Sequence, residues 1–252
     1  MKNKFLIVVV LIAMFVLAAC GAQATPTASS SGGGNQAQPT AAATTAATTA
    51  AATVMNISKN IMLDPALASD ADSKTVIGYV YEGLVKLENG SPAPALASSW
   101  TVSGDGLDYI FTLRSGATFH DGTPVNADAV ITNFNRWFDP KDANHGSGMY
   151  DAWTAAFKGF KGSSTVDGME KVNETTVILH LNTPDANLLT KLADPAFSIV
   201  DPAALTAAGF GTQTGKDGGS GAYKIGAWTA TDLTLEPASS AVSGNLDFKF
   251  GQ

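Results

Sequence analysis

YEGLVKLENGSPAPALASSWTVSGDGLDYIFTLRSGATFHDGTP, residues 81–124, is the most ordered run of turn and strand signals in the chain. Glu88, Asn89 and Gly90 form a turn signal between Leu84–Leu87 and the PAPAL segment, because Asn and Gly adopt the left-handed backbone of tight hairpins at least cost. Trp100–Val102 and Tyr109–Leu113 read as two strands joined around Ser103–Gly106, a second hairpin with aromatic and β-branched residues at alternating positions. In the DGTP that follows, Asp121 and Gly122 are turn residues and His120 closes a strand.

Outward from this stretch, helices and strands alternate. Thr53–Ile61 reads as an entering strand. Asp70–Leu84 carries Val76, Ile77, Val80 and Leu84 at helical spacing, with Ser69 or Asp70 as the N-cap. Asp128–Phe138 repeats the helical period through Val130, Ile131, Phe134 and Trp137, and Thr175–Leu181 alternates as a strand. The expected class is mixed α/β. No repeat or heptad is present.

The first residues predict export. Lys2 and Lys4 precede an apolar run, Phe5–Ala19, which is short for a membrane span and suited to a signal-peptide core. It ends in Leu17-Ala18-Ala19-Cys20-Gly21, resembling a bacterial lipobox, so Cys20 is expected to carry lipid and become the mature N-terminus. Cys20 is the only cysteine, which leaves no disulfide. Two or three acyl chains, at about 0.8 kcal/mol per buried methylene, anchor a protein on a membrane far better than one. Ala22–Thr53 contains only small and polar residues, without aromatic or charged side chains. It cannot bury enough apolar surface to offset chain entropy and reads, with Cys20, as a tether of residues 20–53, with a span of roughly 30 Å.

All 22 acidic residues lie at or beyond Asp64, against 13 of the 15 Lys and Arg after the leader. This acidic balance argues against nucleic acid or anionic lipid as a partner of the folded region. The three histidines are scattered without HxxxH or HExxH spacing, no GxSxG occurs, and the glycines at 218, 219 and 221 lack a following GK[ST]. Arg114, His120 and Asp121 are close in sequence but read as structural. No catalytic residue, metal site or cofactor is expected.

Several elements in order resemble the extracytoplasmic solute-binding proteins of family 5, the receptors of peptide and nickel ABC importers. They are Asp64-Pro65, YEGL at Tyr81–Leu84, PALA at Pro94–Ala97 followed by Trp100, Asp105–Pro124, Asn133-Phe134, and Gly219-Ser220-Gly221-Ala222-Tyr223, where Ala222 replaces the usual Pro. The resemblance implies a periplasmic-binding-protein-like fold of two hinged lobes. The first lobe would begin at Val54, hold an inserted subdomain over about residues 86–181, and resume from Asn182. After Leu246–Phe250 the family pattern is not continued, so the second lobe is expected to be missing and solute binding by the chain weak.

The resemblance also places a solute cleft beside Met62, Asp64, Ser69, Ser73, Tyr150, Trp153, Phe197 and Ser198. Trp153 is read as either a cleft contact or core, Trp100 and Trp137 as core, and Tyr223 and Trp228 as either. The implied function is a lipid-anchored receptor that captures a solute, most simply an oligopeptide, for ABC permease and ATPase subunits. The alternative is a noncatalytic surface lipoprotein without high-affinity binding, and gene neighbourhood separates the two.

Overall fold

A computed structural model describes residues 52–58 and 60–251. The leader, Cys20 and nearly all of the expected tether lie outside the described residues. The elements in order are β1 (Thr53–Ile57), α1 (Ala71–Val80), β2 (Glu82–Gly83), β3 (Val85–Glu88), β4 (Ser91–Pro94), β5 (Ala97–Val102), β6 (Asp108–Leu113), α2 (Ala127–Phe138) and α3 (Asp151–Phe157). They continue with β7 (Val166–Asn173), β8 (Thr176–Leu181), α4 (Leu188–Leu192), a 3-10 turn at Pro195–Phe197, β9 (Ser198–Ile199), α5 (Pro202–Leu205), β10 (Tyr223–Trp228), β11 (Asp232–Pro237) and β12 (Leu246–Phe250). The mixed α/β class is the one the sequence predicts.

Two four-stranded sheets organise these elements. One has the order β5-β6-β8-β7 and is antiparallel throughout; the other runs β1-β12-β11-β10, with β1 parallel to β12. Each anchors its own apolar cluster. Beneath the antiparallel sheet, α2 and α3 supply Phe134, Trp137, Trp153 and Phe157, which meet Phe111, Leu179 and Phe197. Beneath the mixed sheet, α1 supplies Val76, Ile77 and Val80 against Leu233, Leu235 and Phe248. The outer face of the mixed sheet is polar, with Thr234 donating to Asp247 at 2.8 Å, which is the alternation expected of a sheet wetted on one side.

Local chemistry explains the element ends. The Asp70 carboxylate accepts from the Ser73 amide at 2.8 Å, and the Asn126 side chain accepts from Ala129 at 2.9 Å, so α1 and α2 both open on a side-chain cap. Asn89 (φ 52°) and Gly90 (φ 79°) make the tight turn between β3 and β4. The helix predicted to reach Leu84 stops at Val80. Tyr81 turns extended, and Glu82-Gly83 pair with Ile199-Ser198 while the Glu82 carboxylate takes two bonds from Arg114, at 2.7 and 2.6 Å. The entering strand is likewise shorter than predicted, ending at Ile57 where its partner β12 runs out at Phe250.

Polar clasps join the two clusters. Buried Asn133 on α2 donates to the Val200 carbonyl at 2.6 Å and accepts from the Val200 amide at 3.1 Å. The turn before β10 packs directly on the end of α1, where a Cβ on Gly219 would lie 2.1 Å from the Val80 carbonyl oxygen. Only glycine permits that approach.

Candidate solute-facing surface

The parallel pair β1 and β12 points its carboxyl ends at a hollow of about 340 Å³. Ile61 and Met62 from the loop after β1, Gln213, Trp228 at the end of β10 and Phe250 at the end of β12 line it. In open α/β sheets this position outside the strand carboxyl ends is where ligands bind. The described residues lining it carry no charge. Gln213 donates its amide to the Trp228 carbonyl at 2.8 Å, which steadies the wall beside the indole. The Met62 amide donates to the hydroxyl of Ser73 at 2.8 Å, so the loop is pinned to α1 where it lines the hollow.

The eight residues expected beside a cleft do not converge. Met62 lines this hollow. Ser69 borders a separate one of about 230 Å³ with Met149 and Lys74, and Ser198 another of about 350 Å³ with Tyr81 and Glu82. Phe197 underlies a groove of about 480 Å³ along α3, beside Lys74 and Asp194, which are paired at 3.0 Å.

The remaining four face protein, which corrects the expectation that they border an open surface. Ser73 is fully buried and spends its hydroxyl on the Met62 amide. Asp64 is gripped by both terminal nitrogens of Arg136, one at 2.9 Å, in a buried pair. Arg136 also donates from Nε to the Asn144 carbonyl at 3.1 Å and lies over the Tyr150 ring, 5.7 Å from its centroid. The Tyr150 hydroxyl donates to the His145 carbonyl at 2.6 Å, and its ring stacks on that histidine at 4.2 Å. Trp153 gives its indole N–H to the Gly159 carbonyl at 2.9 Å and packs between Phe134 and Phe157. Of its two readings, core packing is the one realised.

Sequence reasoning missed Arg136 as the partner of Asp64, and missed Gln213 and Phe250 in the hollow. A helical Arg among Phe134, Trp137 and Phe138 was the available signal for a buried ion pair.

The charged residues of the hairpin stretch are separated by their partners. Arg114 belongs to Glu82. His120 faces Asp217. Asp121 accepts from the Thr123 hydroxyl and amide and lies 3.3 Å from Lys216, contacts that pull its pKa down to about 2. Among the described residues no group of three His, Cys, Asp or Glu side chains is placed to hold a metal ion.

A mixed sheet with a helix on its inner face, a second antiparallel sheet beside it and an open hollow at the parallel strand ends define one lobe of a periplasmic-binding-protein fold. Solved structures that share it include the following two. DppA from Helicobacter pylori, described as an ABC transporter-associated periplasmic binding protein in complex with peptide STSA, matches with TM-score 0.67 and 24% identity, covering 80% of this chain and 43% of that one. HbpA2 from Haemophilus parasuis matches with TM-score 0.67 and 25% identity, covering 79% and 43%.

The family model for bacterial extracellular solute-binding proteins, family 5 (middle), matches residues 91–238, and the chain belongs to that family. The glutathione-binding protein GsiB of Escherichia coli O1:K1 / APEC is 36% identical over 173 residues, 68% of this chain. The chain spans 31% of the length of that relative.

Proposed function

We propose that this chain supplies one solute-facing lobe of an ABC-importer receptor, held on the outer face of the cell membrane through lipid on Cys20, and that its partners are permease and ATPase subunits. The observation that carries the reading is the uncharged hollow at the carboxyl ends of β1 and β12 in a chain of this family. Residues 86–181 are the subdomain inserted into that lobe, and residues 20–53 the tether. The lipobox sequence at Leu17–Gly21 supports the anchor.

The chemistry of the hollow favours short peptides. Trp228 and Phe250 offer apolar faces to a side chain, while the side-chain amides of Asn60 and Gln213 and the hydroxyls of Thr212 and Thr229 suit a peptide backbone. Glutathione, the solute in the name of the GsiB relatives, is of this class. A single lobe buries little of such a ligand, so binding by the chain alone is weak.

The test is a titration of the 15N-labelled chain with alanine tripeptide and with glutathione, following its indole N–H resonances. The Trp228 resonance moves and those of Trp137 and Trp153 do not; Trp228→Ala removes the response. Absence of any shift at millimolar peptide, or a shift confined to the core indoles, rejects this site.

A further inference from the structure

His120 sits on the seam between the two apolar clusters, and both of its ring nitrogens meet acceptors. Phe119 before it is packed in the cluster of the antiparallel sheet, whereas the turn it faces lies against Val80 of the other. Nδ1 is 3.1 Å from each carboxylate oxygen of Asp217, and Nε2 is 3.0 Å from the Gly221 carbonyl oxygen. The His120 amide donates to the Gly219 carbonyl at 2.8 Å, which fixes the ring over the turn.

A carboxylate and a carbonyl can only accept. Both ring nitrogens must therefore donate, and a ring with two N–H groups is the imidazolium. With its side chain only 8% exposed, His120 has little water available to replace a lost partner. We propose that His120 is carried as a buried imidazolium whose two donated bonds form a proton-dependent latch between the two clusters, closed in mildly acidic medium and loosened as the medium turns alkaline. This does not depend on the solute-binding assignment.

The surrounding charges agree. Burial alone would depress the His120 pKa, but the bonds to Asp217 and Gly221 and the Asp217 charge outweigh it, with Lys224 on β10 opposing, and the net shift is upward. Burial likewise works to raise the Asp217 pKa, yet His120 and the amides of Gly219 and Ile225 hold it below the ordinary carboxylate value. Tyr81, at the end of α1, is pushed far above its ordinary value by burial and by the charge of Asp217, and stays neutral. Asp121 and Lys216 pair beside the latch, and Lys216 lies 3.8 Å from Asp201.

A histidine whose folded pKa is raised contributes stability that is complete below its unfolded value of about 6.5 and is lost as pH rises through the folded value. The experiment follows the three histidine rings of the whole chain by long-range 15N correlation from pH 5 to 9, identifying His120 through its contacts with Phe119 and Gly221. Its ring shows both nitrogens protonated in mildly acidic medium and titrates above about 6.5; titration at or below that value overturns the proposal. In parallel, the thermal midpoint falls by roughly a few degrees between pH 6 and pH 8.5. His120→Gln abolishes that fall, while His180→Gln keeps it. An equal fall in His120→Gln also overturns the latch, and if that variant does not fold, the ring titration of the unmodified chain decides alone.

Discussion

The two apolar clusters are built by opposite strategies. Around the antiparallel sheet, β5 and β6 are joined by a short turn, β7 and β8 by another, and α2 and α3 come from the chain between them. Its interior is aromatic: the Trp153 ring lies 4.5 Å from Phe157, 5.7 Å from Phe134 and 6.2 Å from Phe197 by centroids. Around the mixed sheet, Thr53 of β1 pairs with Leu246 of β12 across most of the described chain, and the interior is largely aliphatic. Closing so long a loop costs entropy that local hairpins avoid. The first cluster can therefore assemble from its own neighbourhood, and the second depends on contacts that reach it from the first.

Two substitutions separate these roles. Trp153→Ala opens a cavity where the rings converge and costs about 4–5 kcal/mol, at the upper end for a buried aromatic. Urea titration followed by both fluorescence and far-UV circular dichroism measures it; a loss of less than about 1 kcal/mol would show that the aromatic interior is not what holds this half. Next comes Arg136→Met, which leaves the Asp64 carboxylate buried without its partner. A broken buried pair costs about 3–4 kcal/mol. Asp64 lies in the loop leaving β1, so amide exchange should accelerate first in β11 and β12 while β6 and β8 stay protected. Uniform acceleration across both sheets would mean that the clusters unfold as one unit and that the contrast drawn between them has no energetic counterpart.

What could be read in the sequence follows the same division. The Glu88–Gly90 turn, the hairpin around Ser103–Gly106, the helix over Asp128–Phe138 and the strand at Thr175–Leu181 are written in local periodicity and turn residues, and all are present to within a residue. β7 was not legible, because VDGMEKVN carries a glycine and three charges and is an edge strand whose register shifts twice against β8. The end of α1 was misread because Val80 and Leu84 keep helical spacing, while what stops the helix is pairing with β9, more than a hundred residues away. The candidate site suffered most. Family resemblance put Met62 beside a solute cleft, and in the structure it lines the hollow with Phe250 and Gln213, which reach it only through sheet order and loop packing that no local pattern encodes. Asp64, Ser73 and Tyr150 are polar residues of types found in binding sites, and burial turned them into clamps.

The smallest effect concerns a clasp made on the surface. Lys74 on α1 and Asp194 at the start of the 3-10 turn join the same two halves as Arg136 and Asp64, with the ammonium within 3.0 Å of both carboxylate oxygens. Their side chains remain 29% and 39% exposed, against 7% and 5% for Arg136 and Asp64. Water and salt screen the exposed pair, so its coupling should be below about 1 kcal/mol, whereas the buried clasp is nearly indifferent to ionic strength. Asp194 also caps the turn by accepting from the Ala196 amide at 2.9 Å, so Asp194→Ala alone overstates the pair. A double-mutant cycle with Lys74→Ala removes that contribution. Run at low and at molar salt, the cycle should give a small coupling that disappears in salt. A coupling as large as the loss in Arg136→Met, or one that salt leaves intact, would show that burial is not what distinguishes the two clasps.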